Sequence, residues 1–213
     1  MKDLFIITDG QRDHQVVLEL VRTVTDQSFT AEFLAWGTRG PRLHRKSRLL
    51  SEGRGYTTRL LWHLKKAYND GYIGLIATVD TDNTKPGSRL EELKAAREKD
   101  RADSINEGRP HIPCALGEAN PHHEAWLLGA PNAIRTALEL KPDTKLPKPS
   151  KIASPKEQLN SLFEESDVPF ENPTEMLAAI ATHVVPERCI DTKNTGFAEF
   201  KSDVEEHLED LTP

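Results

Sequence analysis

The chain has 213 residues, of which 37% are hydrophobic and 29% charged, a balance typical of a globular protein rather than a disordered or membrane-embedded one. No stretch approaches the roughly 20 apolar residues that a membrane span needs. The amino terminus reaches an acidic turn before a signal-peptide core could form, so we expect a cytoplasmic protein without membrane contact. Cys114 and Cys189 lie far apart without CxxC spacing, which argues against a disulfide framework or a structural zinc site.

The net charge of −6 is distributed unevenly along the chain. Residues 39–66 carry nine basic side chains against Glu52 alone, whereas residues 154–213 carry fourteen acidic and four basic ones. Nucleic acid, as a polyanion, would be attracted to the first segment and repelled by the second. A solvated basic loop is the alternative interpretation. The candidate contacts to the nucleic-acid backbone are five basic side chains, Arg39, Arg42, Arg45, Lys46 and Arg48.

Hydrophobic periodicity predicts strands that alternate with helices. The predicted strands are residues 3–8, 29–36, 72–79 and 111–116, and the predicted helices are residues 16–24, 56–69, 90–102, 124–140, 155–166, 173–184 and 196–211. This order indicates an α/β fold in which helices flank a mostly parallel four-stranded sheet and ligands bind at the carboxyl ends of the strands. We expect a core over residues 1–140, a proline-rich linker over 141–153 and an acidic helical extension over 154–213.

Two carboxylates, Asp80 and Asp82, stand two residues apart at the end of the apolar third strand. The period of two along a strand points both side chains to the same face. Like charges this close need a cation or a proton between them. Mg²⁺ suits such ligands, because it binds one or two carboxylates and keeps waters for a phosphate. An Asp-rich turn that leads into the next helix is the alternative.

Ionisable residues also follow two other predicted strands. Asp9 and Asp13 flank the turn after the first strand, where capping the helix or complementing its dipole is the alternative role. Glu124 begins an apolar helix and could complete a metal shell, bind a second ion, or only complement the helix dipole. His122 and His123 could contact phosphate or transfer protons, although histidines in turns are usually inert.

These motifs resemble the Toprim superfamily of topoisomerases, primases and nucleases related to OLD-family proteins. Its pattern is an acidic-Gly-x-x-Asp turn after the first strand and DxD after a later strand, matched here by residues 9–13 and 80–82. Residues 123–128 and 196–200 look more specifically like an uncharacterised Toprim-like branch often encoded beside AAA-type ATPases in bacterial and phage-defence loci. The resemblance covers residues 3–140 and is looser beyond. Asp9 departs from it, since the family usually has glutamate there; the shorter side chain reaches less far for an acid/base role but still allows metal binding through water.

The resemblance implies a metal-dependent nuclease that cleaves DNA or RNA, coupled to an AAA- or ABC-type ATPase partner in a defence system. Asp80, Asp82 and Glu124 would hold Mg²⁺ or Mn²⁺. Asp9 would join the metal site and position or deprotonate the attacking water, with Asp13 beside it in the catalytic turn. The sequence is also compatible with a homo-oligomer.

Two other functions are compatible with the sequence. Residues 80–84 fit the DxDxT signature of haloacid-dehalogenase-like phosphatases, in which the first aspartate is a nucleophile, although that motif normally follows the first strand. Alternatively, the acidic helices could dock an ATPase and make the protein a non-enzymatic adaptor or inhibitor with a degenerate site.

Overall fold

The computed structural model describes residues 2–36, 55–81, 84–149, 152, 154–209 and 211. Its strands are β1 (Lys2–Thr8), β2 (Ala31–Ala35), β3 (Tyr72–Asp80) and β4 (Cys114–Ala119). The helices of the first part of the chain are α1 (Asp13–Thr25), α2 (Gly55–Asp70), α3 (Ser88–Glu107), α4 (His123–Leu128) and α5 (Pro131–Ala137). Those that follow are α6 (Pro155–Glu165), α7 (Pro173–Thr182), a 3₁₀ turn (Pro186–Arg188), α8 (Thr192–Thr195) and α9 (Phe197–Leu208).

The strands form one all-parallel sheet in the order β2-β1-β3-β4, which confirms the predicted α/β class. In register, Leu4 of β1 faces Ala31 of β2 on one side and Gly74 of β3 on the other, and Asp80 faces Ala119 of β4. The strand order reverses between β1 and β3. The carboxyl ends of these two strands therefore form the kind of crevice where parallel sheets bind ligands.

Helices cover both faces of the sheet, which is why the central strands are continuous apolar runs. Leu4 and Ile6 of β1 point into one hydrophobic core, together with α1, α4, α5, α6, α7 and α9. Phe5 and Ile7 point into the other, together with α2 and α3. The C-terminal helices thus share a core with the sheet. None of the described helices is both long and apolar enough to cross a membrane.

Two predicted elements differ in the structure. The single helix expected over residues 124–140 is wrong, because the chain breaks between α4 and α5, where Pro131 cannot continue the preceding helix and instead begins the next one. The fourth strand spans Cys114–Ala119 rather than residues 111–116. Pro113 has no N–H for the strand ladder, so the strand begins after it, and pairing with Thr78, Val79 and Asp80 of β3 extends it to Ala119.

The outer strand β4 is capped along its open edge by charged side chains. Asp203 of α9 accepts a hydrogen bond from the Leu116 N–H (2.7 Å), and Arg97 of α3 donates one to the Cys114 carbonyl (2.9 Å). The two side chains also pair with each other at 2.6 Å. Because an unpaired edge invites association with other chains, this cover protects the strand.

Candidate metal centre

The carboxyl ends of β1 and β3 bring four of the predicted carboxylates to one cavity. Asp9 directly follows β1, Asp80 ends β3, and the Asp80 N–H donates a hydrogen bond to Asp9 Oδ2 (2.6 Å). The cavity above them has a volume of about 380 Å³ and is lined by charged and polar residues, namely Asp9, Gly10, Gln11, Arg12, Asp13, Asp80, His122, Glu124 and Lys156. Asp9, Asp80 and Glu124, which come from separate stretches of the chain, thus line the same cavity.

Asp13 is held over the cavity by the turn that precedes it. It is the first residue of α1, and its Oδ2 accepts a hydrogen bond from the Gly10 N–H (3.0 Å). The Thr8 hydroxyl in turn donates to the Gly10 carbonyl (2.6 Å). A side chain at position 10 would crowd this arrangement, since its Cβ would lie 3.0 Å from Asp13 Oδ2. The local sequence thus directs Asp13 towards β3 instead of leaving it as a solvated first-turn acid.

Three side chains, Asp13, Asp80 and His123, each place a potential metal-ligand atom within 4.8 Å of the others. His123 Nδ1 lies 2.7 Å from Asp80 Oδ1 and 3.8 Å from Asp13 Oδ2. The imidazole is almost completely buried, and its Nε2 lies 2.8 Å from the hydroxyl of Thr78. These residues could bind a divalent ion through two carboxylates and one imidazole.

The ring of His123 is fixed by a row of aromatic contacts that reaches the C-terminal helix. Trp126 of α4 meets it edge-on at 4.8 Å between ring centroids. Phe200 of α9 stacks on the ring of Trp126 at 4.7 Å between centroids. The Trp126 indole N–H donates to the Thr195 carbonyl (2.7 Å), and Gly196 lies so close to β4 that an added Cβ would be 2.0 Å from the Glu118 carbonyl oxygen. The position of His123 therefore depends on α9.

Burial and crowding perturb the ionisation of this cluster. Burial raises the pKa of Asp9, and repulsion from Asp80 adds to this, while the hydrogen bond from the Asp80 N–H opposes it. Burial alone would also raise the pKa of Asp80, but the charges of His123 and His122 lower it overall. Burial disfavours the charged form of His123, yet Asp80, Asp13 and Asp9 raise its pKa to about 9. The cluster therefore requires positive charge at its centre, which a proton or a metal ion can supply.

The other predicted site residues lie outside the close group of Asp13, Asp80 and His123 or outside the described residues. Glu124 is buried in the first turn of α4 and lines the cavity, but it is not part of the close Asp13, Asp80 and His123 group. His122 is partly exposed, and its Nδ1 lies 3.3 Å from Asp80 Oδ2. Asp82 and the five predicted nucleic-acid contacts, Arg39, Arg42, Arg45, Lys46 and Arg48, lie outside the described residues.

Sequence reasoning did not assign several residues that shape the site. Thr78 lies within the apolar run of β3, and the only sequence signal for its role is that its side chain is polar while its neighbours are apolar. Tyr56 donates a hydrogen bond from its hydroxyl to Asp9 Oδ1 (3.3 Å), and Arg89 donates to the Asp80 carbonyl. Glu118, which is buried in β4, accepts hydrogen bonds from the Thr81 hydroxyl (3.3 Å) and the Leu90 N–H (3.1 Å). It thereby ties the end of β3 to the start of α3.

Comparison with protein-family models, curated proteins and solved structures gave no match. The Toprim resemblance consequently depends on the sequence motifs alone. Because one fold can carry many activities, function has to be inferred from the chemistry of the site.

Proposed function

We propose that this chain is a divalent-metal-dependent nuclease that hydrolyses phosphodiester bonds in DNA or RNA. The observation that carries the proposal is the approach of Asp13, Asp80 and His123 to within 4.8 Å of one another at the strand-order reversal, with Asp9 beside them. Paired carboxylates at the carboxyl edge of a parallel sheet favour a metal that acts on phosphate. Asp82, from the neighbouring DxD position, and Glu124 are proposed as further ligands or water-positioning groups.

The cavity also contains groups that suit a phosphate. Arg12 and Lys156 line it together with the carboxylates, and His122 is partly exposed at its wall. Cationic donors of this kind pair with phosphate oxygens through charge-assisted hydrogen bonds. A purely acidic cavity would repel a polyanion, so these side chains favour a phosphate ester over a neutral substrate.

A divalent ion bound by the carboxylates and His123 would stabilise the charge that develops on the scissile phosphate. Asp9 is the candidate general base for the attacking water. Hydrogen bonds from the Tyr56 hydroxyl and the Asp80 N–H orient its two oxygens, and its raised pKa improves its match to a proton acceptor working near neutral pH. Arg12 and Lys156 would hold the phosphate, and Glu124 would bind or orient water at the cavity wall.

The proposal also includes nucleic-acid contacts, an ATPase partner and a role in phage defence, which do not depend on the geometry of the cavity. The basic residues between Arg39 and Arg48 are proposed to hold the nucleic-acid backbone on the strength of their charge alone. An AAA- or ABC-type ATPase partner and a role in phage defence are proposed on the Toprim-like resemblance.

The nuclease proposal is tested with purified protein, plasmid, single-stranded DNA and RNA, each with Mg²⁺ or Mn²⁺ and with chelator. We expect metal-dependent cleavage that falls at least about 100-fold in Asp80→Asn. The matched control Asp143→Asn removes an exposed carboxylate in a loop and should retain full activity. Asp9→Asn should lose about 10²- to 10⁴-fold in rate while still binding metal, as expected for a general base.

Three outcomes would count against the nuclease. Folded protein that leaves every nucleic acid intact, but binds an ATPase, would favour the adaptor. Turnover of a generic phosphate monoester without nucleic-acid cleavage would favour a phosphatase. Equal cleavage by the parent and Asp80→Asn would place the activity elsewhere, or in a contaminant.

A further inference from the structure

We infer that His123 is a metal ligand through Nδ1 and that the centre consequently selects a first-row transition metal, such as Mn²⁺, over Mg²⁺. This inference rests on the proposed metal centre and specifies its ion. It departs from the all-oxygen site that the DxD motif predicts.

The first support is a close pair of buried polar atoms at the centre of the cluster, His123 Nδ1 and Asp80 Oδ1. Both atoms are buried and have no other hydrogen-bond partner within the described part of the chain. They lie 2.7 Å apart, which is the distance of an ion pair between an imidazolium and a carboxylate. Two buried polar atoms this close, with Asp13 Oδ2 at 3.8 Å from the same nitrogen, are placed to become neighbouring ligands of one ion that displaces the proton between them.

The second support is the hydrogen bond on the opposite side of the ring. Thr78 is fully buried, and its Oγ1 lies 2.8 Å from His123 Nε2. If the hydroxyl accepts the Nε2 proton, the neutral imidazole turns its lone pair at Nδ1 towards Asp80 and Asp13. Metal-bound histidines typically donate their second N–H in this way, which fixes the tautomer and the ring orientation. Thr78 is thus a positioning residue for the ligand.

The ligand types determine which ion is preferred. Mg²⁺ prefers oxygen ligands and near-ideal octahedral geometry. Imidazole suits zinc, copper, iron and nickel, and carboxylates suit manganese as well as magnesium. Two carboxylates with one buried imidazole therefore form a mixed set that a transition ion accepts better than Mg²⁺. Mn²⁺ is the most informative probe because it can replace Mg²⁺ in carboxylate sites and is paramagnetic.

The test uses the full chain, freed of metal by a chelator, with Mn²⁺ or Mg²⁺ alone as the ligand. Isothermal titration calorimetry measures the two affinities, and pulsed electron paramagnetic resonance detects nitrogen bonded to Mn²⁺. We expect binding of Mn²⁺ at least about tenfold tighter than that of Mg²⁺, with a nitrogen coupling in the spectrum. His123→Leu should abolish the coupling and raise the Kd for Mn²⁺ about 100-fold. Thr78→Val should raise it about tenfold.

His183→Leu is the matched control, because this histidine is exposed and outside the cluster, and it should change neither the coupling nor the affinity. Absence of a nitrogen coupling in the parent protein with Mn²⁺ bound would overturn the inference, as would equal affinity for the two ions. The parent spectrum decides the matter even if His123→Leu does not fold, which circular dichroism would reveal. Nitrogen coupling without any nucleic-acid cleavage would support the metal ligand and oppose the nuclease. Cleavage with Mg²⁺ but no nitrogen coupling with Mn²⁺ would support the nuclease and oppose His123 as a metal ligand.

Discussion

Replacing His63 with leucine should stabilise the protein, and the gain should grow as the pH falls. His63 lies in α2 with no exposed surface, against the rings of Trp36 (5.9 Å between centroids) and Trp62 (4.7 Å). Neither of its ring nitrogens has a hydrogen-bond partner among the residues that the structure describes. Burial, reinforced by the charges of Lys66 and Arg59, lowers its pKa to about 4.

The size of the effect is set by the difference between the folded and unfolded pKa values of His63, about 4 against 6.5. His63 binds a proton less readily in the folded state than in the unfolded state. The free energy of unfolding is therefore unaffected by His63 above pH 6.5 and decreases as the pH falls from 6.5 towards 4. The complete loss corresponds to about 3 kcal/mol. Leucine does not titrate and so removes this loss. It should also raise the free energy of unfolding by about 1 kcal/mol at neutral pH, because two nitrogens without hydrogen-bond partners are no longer buried.

Urea denaturation followed by tryptophan fluorescence measures the free energy of unfolding of both proteins. Between about pH 7 and about pH 4.5, the advantage of His63→Leu over the parent should widen by about 2 kcal/mol. Comparing the two proteins at each pH cancels carboxylates that titrate in both. His183→Leu, at an exposed position, should follow the parent. Parallel loss of stability in the parent and His63→Leu would refute the assignment of this acid sensitivity to His63.

Two further substitutions test the packing of α9. Gly196→Ala should cost about 3 kcal/mol or more in urea denaturation, because its Cβ would lie 2.0 Å from the Glu118 carbonyl oxygen at a φ of +81°. Gly108→Ala has a similar φ of +65° but open space around it, so it should cost only about 1 to 2 kcal/mol; equal losses would contradict the steric explanation. Asp203→Asn should lower stability by about 2 kcal/mol, because Arg97 loses its carboxylate partner in a mostly buried pair, and an unchanged urea midpoint would show that this pair contributes little.

The sheet and the first carboxylates could be predicted from the sequence because they depend on local patterns. Buried parallel strands are continuous apolar runs, and β1 and β3 are such runs. Acidic residues directly after two such strands must meet at one edge once the strands are neighbours, which is why Asp9 and Asp80 were identified. The break at Pro131 was missed because the apolar spacing of α4 and α5 is nearly in phase across it.

The position of His123 beside Asp80 could not be predicted, since it depends on packing between distant parts of the chain. A histidine at the start of a helix has no local pattern that separates a ligand from a turn residue. What brings its Nδ1 to Asp80 is the placement of α4 by Trp126 and α9, together with the hydroxyl of Thr78. Glu118 lies beyond the predicted end of the fourth strand at residue 116 for a similar reason. Its burial in β4 depends on hydrogen bonds from the ends of β3 and α3.

Phe200 contacts Trp126, and Trp126 contacts His123. These contacts determine when, during synthesis of the chain, the site can reach its final arrangement. During translation Asp9, Asp80 and His123 all leave the ribosome before α9, so the nascent chain carries the acidic groups without the support that orients the imidazole. The Asp13, Asp80 and His123 group would then reach its final arrangement only after α9 has emerged and docked on β4. If the chain is the nuclease proposed above, it would stay inactive while its own messenger RNA and the ribosomal RNA are close to it.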